Sequence, residues 1–186
     1  MPDLRPLTPL GHDAPQTATI GPVTLTEVVD TALASLATRM GRGADVATAA
    51  QGAGLPLPGP GQAAFGTPWS AFWLGPDQWM VEAPFASHED ITAHLRPIFG
   101  TAASLTEQTD AWARFDVTGA DLPALFERLC AFDLRAAAPG AATRMVIEHL
   151  GCYVVLRAQG HVTVLGPRSS AASLWHALET AAHSAF

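Results

Sequence analysis

Residues 116–166 read DVTGADLPALFERLCAFDLRAAAPGAATRMVIEHLGCYVVLRAQGHVTVLG, and the order of residue types in this stretch decides the fold. Apolar and polar residues alternate through Ala113, Arg114, Phe115, Asp116 and Val117, the period of a half-buried strand, so 111–117 is predicted as one. Gly119 breaks it. Leu122, Leu125, Phe126 and Leu129 then fall at i, i+3, i+4 and i+7, with Pro123 in the first turn, which predicts a helix over 121–130 with Leu125 and Leu129 buried. Pro139-Gly140 marks a turn. Residues 143–149, 152–157 and 161–165 are rich in Val, Ile, Thr and Leu and read as three strands, with Gly151 and Gly160 at their turns. Strands this close in sequence pair antiparallel, so the class is α+β, helices packed on antiparallel sheets.

The same plan is visible upstream. Residues 24–30 and 32–38 read as strands, and Asp45 is placed to cap a short helix running to about Gln51. The stretch 52–68 holds five Gly and four Pro and is predicted as a surface loop. Residues 70–83 form a hairpin about Gly75-Pro76-Asp77. Ser87-His-Glu-Asp90 has the spacing of a capping box, with Ile91 and Leu95 on one face of the following helix. Pro97 should end or kink that helix at Arg96, with Gly100 as its stop. A last helix follows Ser169 or Ser170, its Leu174, Leu178 and Ala182 inward. Leu-Gly-Pro occurs at 74–76 and 165–167, a weak internal repeat. The expected organisation is an extended Pro-rich arm over 1–22 and a single α+β domain over 23–186. That domain has two duplicated strand-helix-strand halves, about 23–100 and 101–186.

With 186 residues, 48% of them apolar, the chain can bury a real core. A net charge of −7 with no basic run argues against nucleic acid or an anionic membrane as partner. The N-terminal stretch has a single Arg before residue 39 and no apolar run, and no 18-residue apolar span occurs, so a cytoplasmic location is expected. All ten basic residues are Arg. Without Lys the chain cannot form a lysine Schiff base or present a P-loop lysine.

Motifs with chemistry are few. His88 and His94 are six apart, a spacing that puts them on different helix faces. His176 and His183 are two turns apart, too far for one zinc. His149 and His161 lie on neighbouring strands without a third ligand. No GxSxG elbow and no GxGxxG after a strand occur. Ser169 and Ser170 read as caps and Arg168 as a surface residue. Cys130 and Cys152 read as buried reduced thiols. Of the five Trp, one or two, with Trp69 and Trp175 the candidates, are expected at a protein interface.

The 116–166 stretch resembles the folate-dependent aminomethyltransferase superfamily, which includes the glycine-cleavage T-protein. Over nearly the whole chain, DLRPLTPLG, WLGPDQWMVEAPFASHED, SLTEQTDAWARFDVTG and LGPRSSAASLWHAL resemble the gamma subunits of heterotetrameric sarcosine oxidases. The resemblance implies an aminomethyltransferase-like fold and a non-catalytic gamma subunit that supports assembly with alpha, beta and delta partners. It implies that FAD, FMN, NAD, zinc and tetrahydrofolate sit on those other subunits. Such an enzyme converts sarcosine to glycine and hydrogen peroxide and, with tetrahydrofolate, yields 5,10-methylenetetrahydrofolate. In the aminomethyltransferases a Gly-Gly turn leads into a strand with paired acids that serve the folate. Here the matching turn is Gly151-Cys152, and Val155 and Leu156 stand where the acids would be. Phe132 replaces the Asn of an Asn-Asp pair, leaving Asp133. A folate pocket would draw on backbone groups and on Asp110, Asp116 or Glu148. No catalytic, cofactor-binding or metal residue is therefore expected in this chain. The alternatives are a free-standing folate-dependent enzyme or folate-binding regulator, and an interaction domain of another amine-oxidising complex.

Overall fold

The computed structural model describes residues 5–186; Pro2 of the predicted arm lies outside them. In chain order the strands are β1 (Thr17–Ile20), β2 (Val23–Val28), β3 (Thr31–Thr38), β4 (Ala63–Ala64), β5 (Ser70–Gly75) and β6 (Gln78–Pro84). They continue as β7 (Ala103–Glu107), β8 (Trp112–Gly119), β9 (Ala142–Ile147), β10 (Leu150–Ala158) and β11 (His161–Pro167). The helices are α1 (Gly43–Gly52), α2 (Phe85–His88), α3 (Ile91–Phe99), α4 (Leu122–Phe126) and α5 (Ala171–Ala185). The fold is α+β with antiparallel sheets, as the residue pattern predicts.

The chain divides into two units. The first comprises residues up to Val29, Ala111–Pro139 and Arg144–Phe186; the second comprises Asp30–Asp110 and Gly140–Thr143. The sequence placed its halves at about 23–100 and 101–186. The two observed units are instead discontinuous, because β2 pairs with β8 and so joins the later segment.

The first unit is built on a six-stranded sheet in the order β1-β2-β8-β11-β10-β9. Ala113, Phe115 and Val117 of β8 are fully buried on one face, the face that α4 and α5 cover. Leu174, Leu178 and Ala182 of α5 are buried as the periodicity requires, and the Phe115 and Trp175 rings lie 5.4 Å apart. The helix predicted over 121–130 is shorter. It ends at Phe126, and the chain then turns through Arg128 N–H to Leu125 C=O and Leu129 N–H to Phe126 C=O. Leaving the 3.6-residue spiral there rotates Leu129 off the stripe, so Leu125 is buried and Leu129 only half-buried. Gly151 is not a turn residue, as predicted, but lies within β10. The hairpin turns at Glu148 and His149, both with positive φ (46° and 69°), which a two-residue loop of this kind requires at both central positions.

The predicted arm contains a strand, β1. Glu27, 1% exposed, accepts from Leu10 N–H at 2.9 Å and Gln16 N–H at 3.0 Å. A buried carboxylate needs such donors, and these two fix the arm to β2.

The second unit carries a five-stranded sheet in the order β4-β5-β6-β3-β7. Ala34, Leu36, Val46, Val81, Ile91 and Leu95 are at its core. The hairpin at Gly75-Pro76-Asp77 forms as expected. Three local predictions are corrected. Asp45 lies in the first turn of α1 and pairs with Arg42 instead of capping it. Ser87 caps nothing; Asp90 accepts from Ala93 N–H and starts α3. Pro97 sits inside α3, which runs on to Phe99. Only the bond to Ala93 C=O is lost there, and Gly100 N–H closes the end on Arg96 C=O at 2.8 Å. The 52–68 segment is mostly loop, but Leu55 is buried and Gln62 bridges Ala141.

Candidate functional site

The side of the six-stranded sheet opposite the helices carries the first unit's polar cluster. Alternation puts Arg114 and Asp116 of β8 on that side, and the register sets Thr163 of β11 across from Asp116. The Asp116 carboxylate accepts from Arg114 Nε (3.1 Å) and Nη2 (3.0 Å), Thr163 Oγ1 (2.7 Å) and His161 Nε2 (2.9 Å). Arg157 Nε in turn donates to Thr163 Oγ1 at 2.9 Å. Burial pushes the Asp116 pKa up. The Arg114 charge, with the guanidinium, hydroxyl and imidazole donors, outweighs it and holds the carboxyl below its ordinary value. A carboxylate has about four lone-pair sites, and here four donors fill them. Asp116 is a cross-strand tie, with no lone pair left to take a proton from a substrate.

The other residues weighed from the sequence are scattered or occupied. Asp133 Oδ1 accepts from Arg135 and Ala136 N–H, closing a turn. Glu148 stands in the exposed hairpin turn. Asp110 ends the long segment of the second unit. Val155, opposite Thr163, and Leu156, opposite Val162, are both buried in β10. Leu156 also forms part of the wall of a cavity of about 350 Å³ with Gly119, Asp121, Leu122, Leu134 and Gln159. Asp121 is the only ionisable side chain in the lining. Proton transfer needs a titrating group facing the reacting atom, and Leu156 supplies a methyl surface.

Cys152 is buried, and its thiol is pushed up to about 11 by burial first and by Cys130 second. Burial also raises Cys130. Both stay protonated and poorly nucleophilic. Ser170 stands at the N-cap of α5 after a short 3-10 turn, but its hydroxyl makes no capping bond, contrary to expectation. Arg168 donates to Leu7 C=O at 3.1 Å. None of the five Trp is exposed, and Trp69 is buried, unlike the interface role anticipated for it.

His88 and His94 come together, against the prediction from their spacing. The chain breaks between α2 and α3, so their rings lie 4.5 Å apart, and Trp69 packs edge-on to His88 at 4.8 Å. Burial, then the neighbouring His94, lowers the His88 pKa. Among the described residues no three His, Cys, Asp or Glu gather where they could hold a metal ion. Sequence reading missed the Asp116 network and the Glu27 clamp. The signal for the first was two polar pairs at i, i+2, Arg114/Asp116 and His161/Thr163, inside otherwise apolar strands.

No family model matches the chain, and no curated protein matches it. Its fold is found in solved structures. A chain of the heterotetrameric sarcosine oxidase from Corynebacterium sp. U-96, in complex with pyrrole 2-carboxylate, is similar with a TM-score of 0.75 and 22% identity, covering 90% of this chain and 87% of that one. The glycine cleavage system aminomethyltransferase T from Bartonella henselae is similar with a TM-score of 0.63 and 12% identity, covering 86% of this chain but 46% of the other.

Proposed function

We propose that this chain is the gamma-type, non-catalytic subunit of a heterotetrameric sarcosine oxidase, supporting assembly with alpha, beta and delta partners in the cytoplasm. The observation that carries this reading is the mutual coverage. The chain matches a sarcosine oxidase chain over nearly the full length of both, whereas it spans less than half of the aminomethyltransferase. A fold shared at low identity leaves function to the site, and the site favours the same reading. Val155 and Leu156 replace the folate acids, and Asp116 is saturated by its own sheet. On this reading the chain takes no chemical step. FAD, FMN, NAD, zinc and tetrahydrofolate belong to its partners, which turn sarcosine into glycine, hydrogen peroxide and, with tetrahydrofolate, 5,10-methylenetetrahydrofolate. No described helix is long and apolar enough to cross a membrane.

Co-expression with alpha, beta and delta chains of such an oxidase tests the proposal. The expected result is a complex that contains this chain and oxidises sarcosine, while the purified chain alone gives no calorimetric signal with tetrahydrofolate. Tetrahydrofolate binding tighter than roughly 10 μM, about −7 kcal/mol, would favour the folate-enzyme reading instead.

A further inference from the structure

The strand β9 is the last in its sheet, with β10 on one side; on the other, only its first residue is engaged, Ala142 N–H donating to Gly61 C=O at 2.9 Å. It joins β10 through the two-residue turn Glu148-His149. In such a hairpin Ile147 faces Leu150 as a hydrogen-bonded pair, and the pairs alternate from there. Arg144 and Val146 therefore turn their N–H and C=O groups away from β10. No backbone hydrogen bond of these two residues reaches any described residue outside the hairpin. Their side chains share one face. Val146 is 66% exposed. Arg144 lies over the Tyr153 ring at 5.8 Å and close to Gly151, without an ion-pair partner among the described residues. An open edge of this kind is a template for another strand, and natural proteins blunt it with charged side chains, proline or a bulge. Here no proline is present, one charge, Arg144, leans over the Tyr153 ring, and Val146 leaves a β-branched apolar side chain exposed on the edge.

We propose that the Arg144–Ile147 edge is a docking site for an extended segment of a partner subunit, which adds a strand beside β9. Main-chain bonds to Arg144 and Val146 supply the attachment. A carboxylate on the incoming segment meets Arg144, and an apolar side chain covers Val146. The carboxylate follows from charge: this chain is net −7, yet its free edge offers a lone guanidinium. Strand addition reads such a segment through alternate side chains. The partner's identity rests on the oxidase reading above.

The test uses the co-expressed complex and three variants. Val146→Pro removes an outward N–H, Val146→Glu keeps the backbone but charges the strip, and Arg144→Glu reverses the cation. All three should melt close to wild type as isolated chains, because none removes a buried group. Each should lower the assembled fraction at least tenfold, and Val146 N–H should exchange slowly in the wild-type complex but fast in the free chain. Full assembly of all three variants, or fast exchange of that amide in the complex, would overturn the edge while leaving the oxidase reading standing. A wild-type chain that does not join the alpha, beta and delta chains would overturn both. A wild-type chain that instead dimerises with itself through this edge would replace the partner segment by a second copy and so overturn the proposal.

Discussion

At the level of single residues, Asp116 is the most consequential side chain of the first unit. Its pKa is lowered in the folded state, so the folded protein holds the carboxylate more tightly than the unfolded chain does. That contribution is fully present above the unfolded value of about 3.8 and is lost as pH falls through the lower folded value. Urea unfolding between pH 5 and pH 2.5 should show stability falling with acid, and Asp116→Asn should flatten that slope. At neutral pH, Asp116→Ala should cost about 3 kcal/mol, because it leaves Arg114 and Thr163 with a lost acceptor inside the sheet. A cost under half a kcal/mol would mean that other groups carry the tie. None of this geometry was readable from composition. The sequence showed acidic and basic residues at alternate positions but not which strand would lie alongside, and the β8–β11 register alone brings Thr163 and His161 to Asp116.

Among the elements, the strands were legible and the helix ends were not. The strands β2, β3, β5, β6, β8, β10 and β11 were located to within a few residues: β2 and β8 alternate in burial, as one buried face requires, whereas β10 and β11, buried on both faces, were marked by apolar β-branched runs between glycines. Helix limits failed where a local hydrogen bond overrode the pattern. Asp90, not Ser87, caps α3, and α4 stops at Phe126 although the apolar stripe continues to Leu129. Chemical denaturation separates these cases. Leu125→Ala should cost roughly 2–5 kcal/mol as a fully buried leucine, and Leu129→Ala less than half of that. Equal losses would show that the helix extends over both. Strand β10 was legible as well, and a carboxylate in place of its buried Val155 or Leu156 would need a partner.

For the whole molecule, the proposed assembly role requires apolar surface that partners cover. Leu7, Val29, Met40, Phe65, Val146 and Phe186 are all more than 40% exposed. Light scattering of the isolated chain should show self-association as concentration rises, and the melting temperature should climb when the other subunits are present in excess. An unchanged melting temperature with saturating partners would sink the assembly role.

The discontinuity of the first unit also sets an order of events during synthesis. Strand β2 leaves the ribosome early, yet Thr24 must wait for Thr118, and the sheet is finished only when β11 slots between β8 and β10. All five strands of the second unit fall within Asp30–Asp110 and are complete before β8 emerges. Pairings this distant in sequence form slowly. The nascent chain therefore carries β2 paired only with β1, its other edge open and Val23 and Leu25 uncovered, through the whole translation of the second unit. That interval is when a chaperone would be needed most.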